Sequence, residues 1–404
     1  MRSGKRGITF LSFMNRSELT SPPLSMAASE PFRVFFPLGI LAAIIGSLLW
    51  PAFHAGWLKI YPAIQHPRLM IFGFGAAFVS GFLGTAWPKF IGSRPLTLTE
   101  LSFLVSSWSV AQCFYVIGAV QPGDFAFATH EILLMGMLGF RLRGAEDWPP
   151  PGFILAFLSL AGAATSALIF CFASASISPR IDVLLRLIAY EGTLLLPLIG
   201  VGSFLFPRVF FAGTPRIPPG LTPSARSRKM GIWGGAGLIL VSFVLEAWGR
   251  VQTGNLVRFG ALYFWAWFAF PSAFRGTCPS TRAWALRSAI TAIAACFLLR
   301  GFWPGPGFGL EHLLFIGGFG LTIPLIADRV ILGHCAASPV VSPTSRSWRW
   351  IVWLLCLAFV TRASADLFPA TLASHQVYAS IVFVAVLIIW IGIHRKHFHK
   401  VSPH

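Results

Sequence analysis

The sequence predicts an all-α, polytopic membrane protein with about twelve transmembrane helices in two six-helix halves. Three observations carry this. Of the 404 residues, 55% are hydrophobic and only 11% are charged, against about 25% charged in a soluble domain. The mean hydropathy is +0.73. The apolar residues fall into runs of about twenty, the length needed to cross a bilayer as one helix.

Taken in order, the expected spans are 34–53, 67–88, 100–120, 124–142, 153–175, 183–206, 230–249, 256–274, 283–300, 309–333, 348–365 and 375–394. The second has small residues at helical spacing (Gly73, Ala77, Gly81, Gly84), which lets a neighbouring backbone approach closely. Pro88-Lys89-Phe90 ends it, and Pro207-Arg208 ends the sixth in the same way. The ninth and eleventh read as the weakest, because Arg287, Arg300 and Arg362 lie within them or at their ends. Residues 1–30 have no apolar stretch followed by a cleavage site and read as a disordered tail. The membrane domain covers 31–394. Its halves are about 31–206 and 230–394, joined by the basic segment 207–229, and a basic tail follows at 395–404.

The net charge of +18 does not indicate a nucleic-acid partner, because the basic residues stand one to three at a time between apolar runs. That is the pattern of loops held at a cytoplasmic face. With the N-terminus inside, 23 of the 31 Lys and Arg residues fall on inner segments. Both termini are then cytoplasmic in a multi-pass inner-membrane protein. The C-terminal His-Arg-Lys-His-Phe-His-Lys run is expected to be solvated and to lie against anionic lipid. The six cysteines have no metal-knot or disulfide spacing; Cys113, Cys171, Cys296 and Cys356 read as packing residues.

With this topology most even-numbered spans open on polar groups near the outer face. These are His66, then Asp124 with His130 and Glu131, then Tyr190 and Glu191, then Glu311 and His312, then His375. The eighth span breaks the pattern. Ionisable residues at membrane depth are costly, and their default reading is functional. The run His130–Arg141 aligns without gaps on Glu311–Thr322, placing His130-Glu131 on Glu311-His312, Gly136 on Gly317 and Gly139 on Gly320. Neutral imidazoles in an apolar site ligate haem iron or copper well. The expected metal ligands are therefore His312, His130 and His66, with Glu311 and Glu131 orienting them. His334 lies at the opposite end of the tenth span, roughly 30 Å away, and cannot share a metal with His312. Asp328 and Arg329 read as a mutually satisfied pair or as anchors at the membrane interface.

The tenth span, His312-x4-Gly317-x2-Gly320-x8-Arg329-x3-Gly333-His334, resembles the signature of the NnrS family. So do PFRVFFPLG at 31–39 and HPRLMIFGFGAAFVSGFLGTAWPKFIG at 66–92, and the resemblance covers most of 31–394. It implies an inner-membrane protein associated with haem and copper and linked to nitric oxide and nitrosative stress. His66, His312 and His334 match family histidines. The family's second span opens His-x-His-Glu-Met. Here it reads His66-Pro67-Arg68-Leu69-Met70, with a cation where the family has a second histidine. Asp328 likewise replaces a small uncharged residue. Both departures imply a divergent member. A twelve-span secondary transporter working through Glu191 and Glu246 is the competing reading. A haem-copper oxidase core would need an adjacent His-His pair, which the chain lacks.

Overall fold

The computed structural model describes residues 23–211, 222–274, 280–305, 307–334 and 344–398. Most of the N-terminal tail, Arg216 of the basic connection, Cys278, Cys335 and His399 lie outside the described residues.

Among the described residues, twelve long helices stand at the twelve expected places. They are α1 (Phe32–His54), α2 (Gln65–Phe90), α3 (Leu98–Val116), α4 (Val120–Gly144), α5 (Phe153–Ala173), α6 (Pro179–Phe210), α7 (Ala225–Ala247), α8 (Val251–Ala269), α9 (Thr281–Phe302), α10 (Gly309–His334), α11 (Arg346–Leu367) and α12 (Leu372–His394). Ten of them are long and apolar enough to cross a membrane. The two that fall short are α3, with Glu100, Gln112 and four serines, and α8, with Gln252, Asn255 and Arg258. The sequence had singled out the ninth and eleventh instead. Arg300 and Arg362 sit close to the ends of their helices and leave a long apolar stretch intact.

Helix starts follow local chemistry. Ser178, Ser224, Ser280 and Ser345 each accept a first-turn backbone N–H, and Thr97 forms a reciprocal capping box with Glu100. Within the spans the backbone hydrogen bonds are internal, as a water-free surrounding requires. Phe103, Phe172, Trp353 and Ile388 point outward and are more than half exposed. This apolar exterior suits lipid as the surrounding solvent.

Packing follows chain order and then closes on itself, with α12 against α1. The arrangement repeats every four helices: α4 meets α5, α8 meets α9, and α12 meets α1. The second helix of each foursome carries a π-helical segment: Arg68–Gly75 in α2, Leu187–Gly192 in α6 and Leu313–Phe319 in α10. Such segments widen the helix by one residue and re-aim the side chains beside them. The tight turns between third and fourth helices match as well. Tyr115-x2-Gly118-x4-Gly123-Asp124 and Glu246-x2-Gly249-x4-Gly254-Asn255 have identical spacing. Gly118 and Gly249 have φ of 81° and 87°, a left-handed conformation natural to glycine. A third pair nine residues apart, Asp366 and His375, spans the α11–α12 turn. The repeat that packing reveals therefore pairs α10 with α2 and α6. It does not pair α10 with α4, the helix that the aligned His130 and Glu311 runs suggested.

Three expectations are corrected at the ends of the chain. Pro23–Ser29 is helical, and the adjacent Glu30 is buried against Arg33, with Nε 2.6 Å from its carboxylate. His394 is buried, with its ring 3.0 Å from Asp328. Phe398 is also buried, and Arg33 donates to the carbonyls of His397 and Phe398 at 2.9 and 3.0 Å. The start of the described C-terminal tail is thus packed onto α1. Asp328 is shared by Arg282 at 2.7 Å, His394 and the Trp348 indole, and is not paired with Arg329. Of the four cysteines read as packing residues, only Cys296 is fully buried.

A close backbone approach joins the start of α5 to α6. A Cβ on Gly200 would land on the Gly152 carbonyl, and a Cβ on Gly152 would land on that of Gly200. Neither carbonyl can swing away like a side-chain tip. Gly200→Val is expected to destabilise the protein by about 1–3 kcal/mol, the range for overpacking. A lowered melting temperature in detergent measures it, and an unchanged one would show that this contact is not tight.

Candidate functional site

A cavity of about 480 Å³ opens among the helix ends that carry the π-helical segments. That volume falls in the range of small-molecule and cofactor sites. The walls come from α1 (Ser47, Trp50), the α1–α2 connection (Tyr61), α2 (His66, Met70), α6 (Arg186, Tyr190, Glu191), α7 (Glu246), α9 (Arg300), α10 (Glu311, His312, Phe315), α11 (Arg362) and α12 (Gln376, Phe383). His66 and His312 each stand just before a π-helical segment, and Glu191 stands within the third. The three widened turns thus bring groups from α2, α6 and α10 to one level.

His66 is held by α1. Its Nδ1 lies 2.9 Å from the Gly46 carbonyl oxygen, and its ring packs edge-on against Trp50 at 5.5 Å. A carbonyl only accepts, so Nδ1 carries the proton and Nε2 keeps its lone pair. This is how second-layer hydrogen bonds prepare an imidazole for ligation.

Beside the histidines lies a ring of buried charge. Arg258, fully buried on α8, reaches Glu191 at 2.7 Å and Glu246 at 3.0 Å, and its Nε donates to Ser242 Oγ. Arg300 on α9 reaches the other oxygens of the same carboxylates, at 2.9 and 3.1 Å. Each carboxylate is thus shared by both guanidinium groups. Glu311 joins as a fifth member, 3.4 Å from Arg300. Arg258 also lies over the rings of Phe243 and Phe297. The eighth span, the apparent exception in the sequence, therefore carries the most deeply buried cation of the group. The available signal was Arg258 itself, alone in the apolar run from Leu256 to Phe270.

A second knot ties α2 to α3, α4 and α6. Arg68 grips Asp124 with two bonds, Nε–Oδ1 at 2.7 Å and Nη2–Oδ2 at 2.9 Å, and donates to the Tyr190 hydroxyl. Tyr115 donates to the same Asp124 at 2.8 Å. Arg68 is consumed in this knot and does not line the cavity. At this position the chain carries a structural ion pair.

Of the five residues the sequence singled out, His66, His312 and Glu311 meet at the cavity. The structure does not bring His130 and Glu131 there. His130 is fully buried between α2 and α3, with Nε2 2.9 Å from Ser80 Oγ and Nδ1 3.0 Å from the Leu104 carbonyl. Both ring nitrogens are already occupied. Glu131 is fully buried as well, and neither carboxylate oxygen has a hydrogen-bond partner among the described residues. α4 belongs to the outer layer, so its buried face meets α2, α3 and α5 rather than the cavity. Among the described residues no group of three or more His, Cys, Asp or Glu side chains is placed to hold a metal ion.

The fold and site define a class: a polytopic helical membrane protein that encloses a histidine-bearing polar cavity within one end of its bundle. The chain matches the NnrS protein family over residues 27–400, nearly its whole length, and belongs to that family. No curated protein matches it.

Arg68→Met leaves Asp124 buried without its cation, and breaking one partner of such a pair costs about 3–5 kcal/mol. A large drop in melting temperature is expected for Arg68→Met alone. Arg68→Met combined with Asp124→Leu should recover most of it, since an apolar pair restores balance. If the double variant is no more stable than the single, the pairing is not what the knot contributes.

Proposed function

We propose that this protein binds haem in the histidine-lined cavity and acts in the response to nitric oxide. The observation that carries this reading is the convergence of His66 and His312, from separate helices, on one cavity of cofactor size. The donor set fits haem. His66 and His312 both line the cavity as imidazole donors, and His66 is held in the ligating tautomer. Trp50, Phe315 and Phe383 offer apolar walls for a macrocycle, and Arg186 and Arg362, each paired with an aspartate at 2.8 Å (Asp182 and Asp366), add positive charge to the lining. When bound, haem iron supplies a coordination position for nitric oxide.

The residues of this chain do the remaining work. Gly46 fixes the orientation of His66 through the Nδ1 bond. Arg258 and Arg300 hold Glu191 and Glu246 in place and keep Glu311 beside His312. Nitric oxide is small and uncharged and dissolves in lipid, so it reaches such a site without a polar channel. For copper, which the family also implies, the described residues hold no group of three His, Cys, Asp or Glu side chains. The transporter reading is less favoured, since Glu191 and Glu246 are each locked by two guanidinium groups.

Protein purified from haem-replete cells is expected to show a Soret band that shifts on adding nitric oxide. His66→Ala and His312→Ala should each remove more than half of that absorbance per protein. His130→Ala should keep it, while losing about 1–3 kcal/mol of stability from the stranded Ser80 and Leu104 groups. A wild-type protein without a Soret band would overturn the assignment.

A further inference from the structure

One helical turn beyond the main cavity lies a second, smaller space. The cavity reaches Ile71, Glu191 and Ile316 on α2, α6 and α10, and the second space begins at Gly75, Leu194 and Phe319 on the same helices. Three or four residues separate the two on each helix, about 5 Å of helical rise. We propose that this chamber is a holding site for an uncharged diatomic gas.

Size and lining carry the proposal. The chamber has a volume of about 80 Å³. One water needs roughly 10–15 Å³ on this measure, so the space holds a molecule of a few heavy atoms. Phe36, Phe78, Leu198, Val201, Phe319 and Ile323 surround it with carbon. The side-chain hydroxyl among its lining residues belongs to Thr322, and it already donates to the Gly318 carbonyl at 2.9 Å. A stable buried water needs two to four polar partners, which this lining does not supply, so the space favours an apolar guest. An uncharged diatomic loses little by leaving water and gains contact with the walls. Its position, one turn from the histidines on the same three helices, makes the chamber a reservoir feeding the main cavity. Only this last role rests on the haem reading; the binding of gas does not.

The test uses xenon on the full-length protein, with or without haem. In crystals pressurised with xenon, an anomalous peak is expected between Phe78, Val201 and Phe319. Val201→Phe should abolish that peak, and Ala327→Leu, on the opposite wall, should do so independently. Ile388→Phe, on the outward face of α12, should leave it unchanged. In haem-loaded protein, either filling variant should slow nitric oxide arrival after rapid mixing relative to Ile388→Phe. A wild-type chamber that stays empty under xenon, or that holds a detergent or acyl chain, overturns the proposal. Loss of haem with the xenon peak retained would overturn only the haem reading and the feeding role.

Discussion

A charge buried in a bundle surrounded by lipid must meet an opposite charge at hydrogen-bond distance, and the cavity end of this protein is arranged by that constraint. Arg258 and Arg300 are each bound to both Glu191 and Glu246, so the four groups close into a ring that neutralises itself. The ring draws on α6, α7, α8 and α9, and Glu311 extends it to α10. Such a ring is weak evidence of net stability, because desolvation offsets much of the attraction. Its value lies in specificity: removing one member strands the others, so the helices cannot rotate or slide without breaking several bonds together. Arg68, Asp124, Tyr115 and Tyr190 do the same for α2, α3, α4 and α6 with the signs exchanged: the cation is on the second helix of the foursome and the anion on the fourth.

The cavity is what these knots leave between them. Ion pairs pull the outer helices against α2, α6 and α10, while the π-helical segments in those three helices open space at the same level. At the far end the chemistry changes. Asp328 gathers Arg282, His394 and Trp348, and Arg33 pins the described end of the chain. That end reads as a lock, and the apolar chamber lies between it and the histidines.

Much of this was legible in the residues. Helix number and position followed from apolar run length, and the cost of placing polar groups at membrane depth singled out His66, Glu311 and His312, which the fold gathers at one cavity. His130 met the same criterion and differs only in where its helix packs. Two hydrogen bonds, to Ser80 and Leu104, make it a packing residue, and neither partner is near it in sequence. Arg258 is third in the span expected at 256–274 but stands two turns into the observed helix, which begins at Val251, so its depth is set by the fold. The four-helix repeat was hidden because it is written in turn glycines and helix widening rather than in matching side chains. The functional groups at equivalent places differ: Arg68, Glu191 and His312.

The sequence by itself determined that the chain is helical, that lipid surrounds it, and which side chains are too polar to face that lipid. Those properties depend on run length and transfer energy, which each segment carries alone. The tertiary structure decided which polar groups become mutual partners and which face an open cavity. Glu191 finds its cations 67 and 109 residues away, and Arg68 finds its anion 56 residues away. No periodicity within one helix encodes those distances. They are set by how twelve helices close on one another, because a buried charge is satisfied only by a partner that packing brings within about 3 Å.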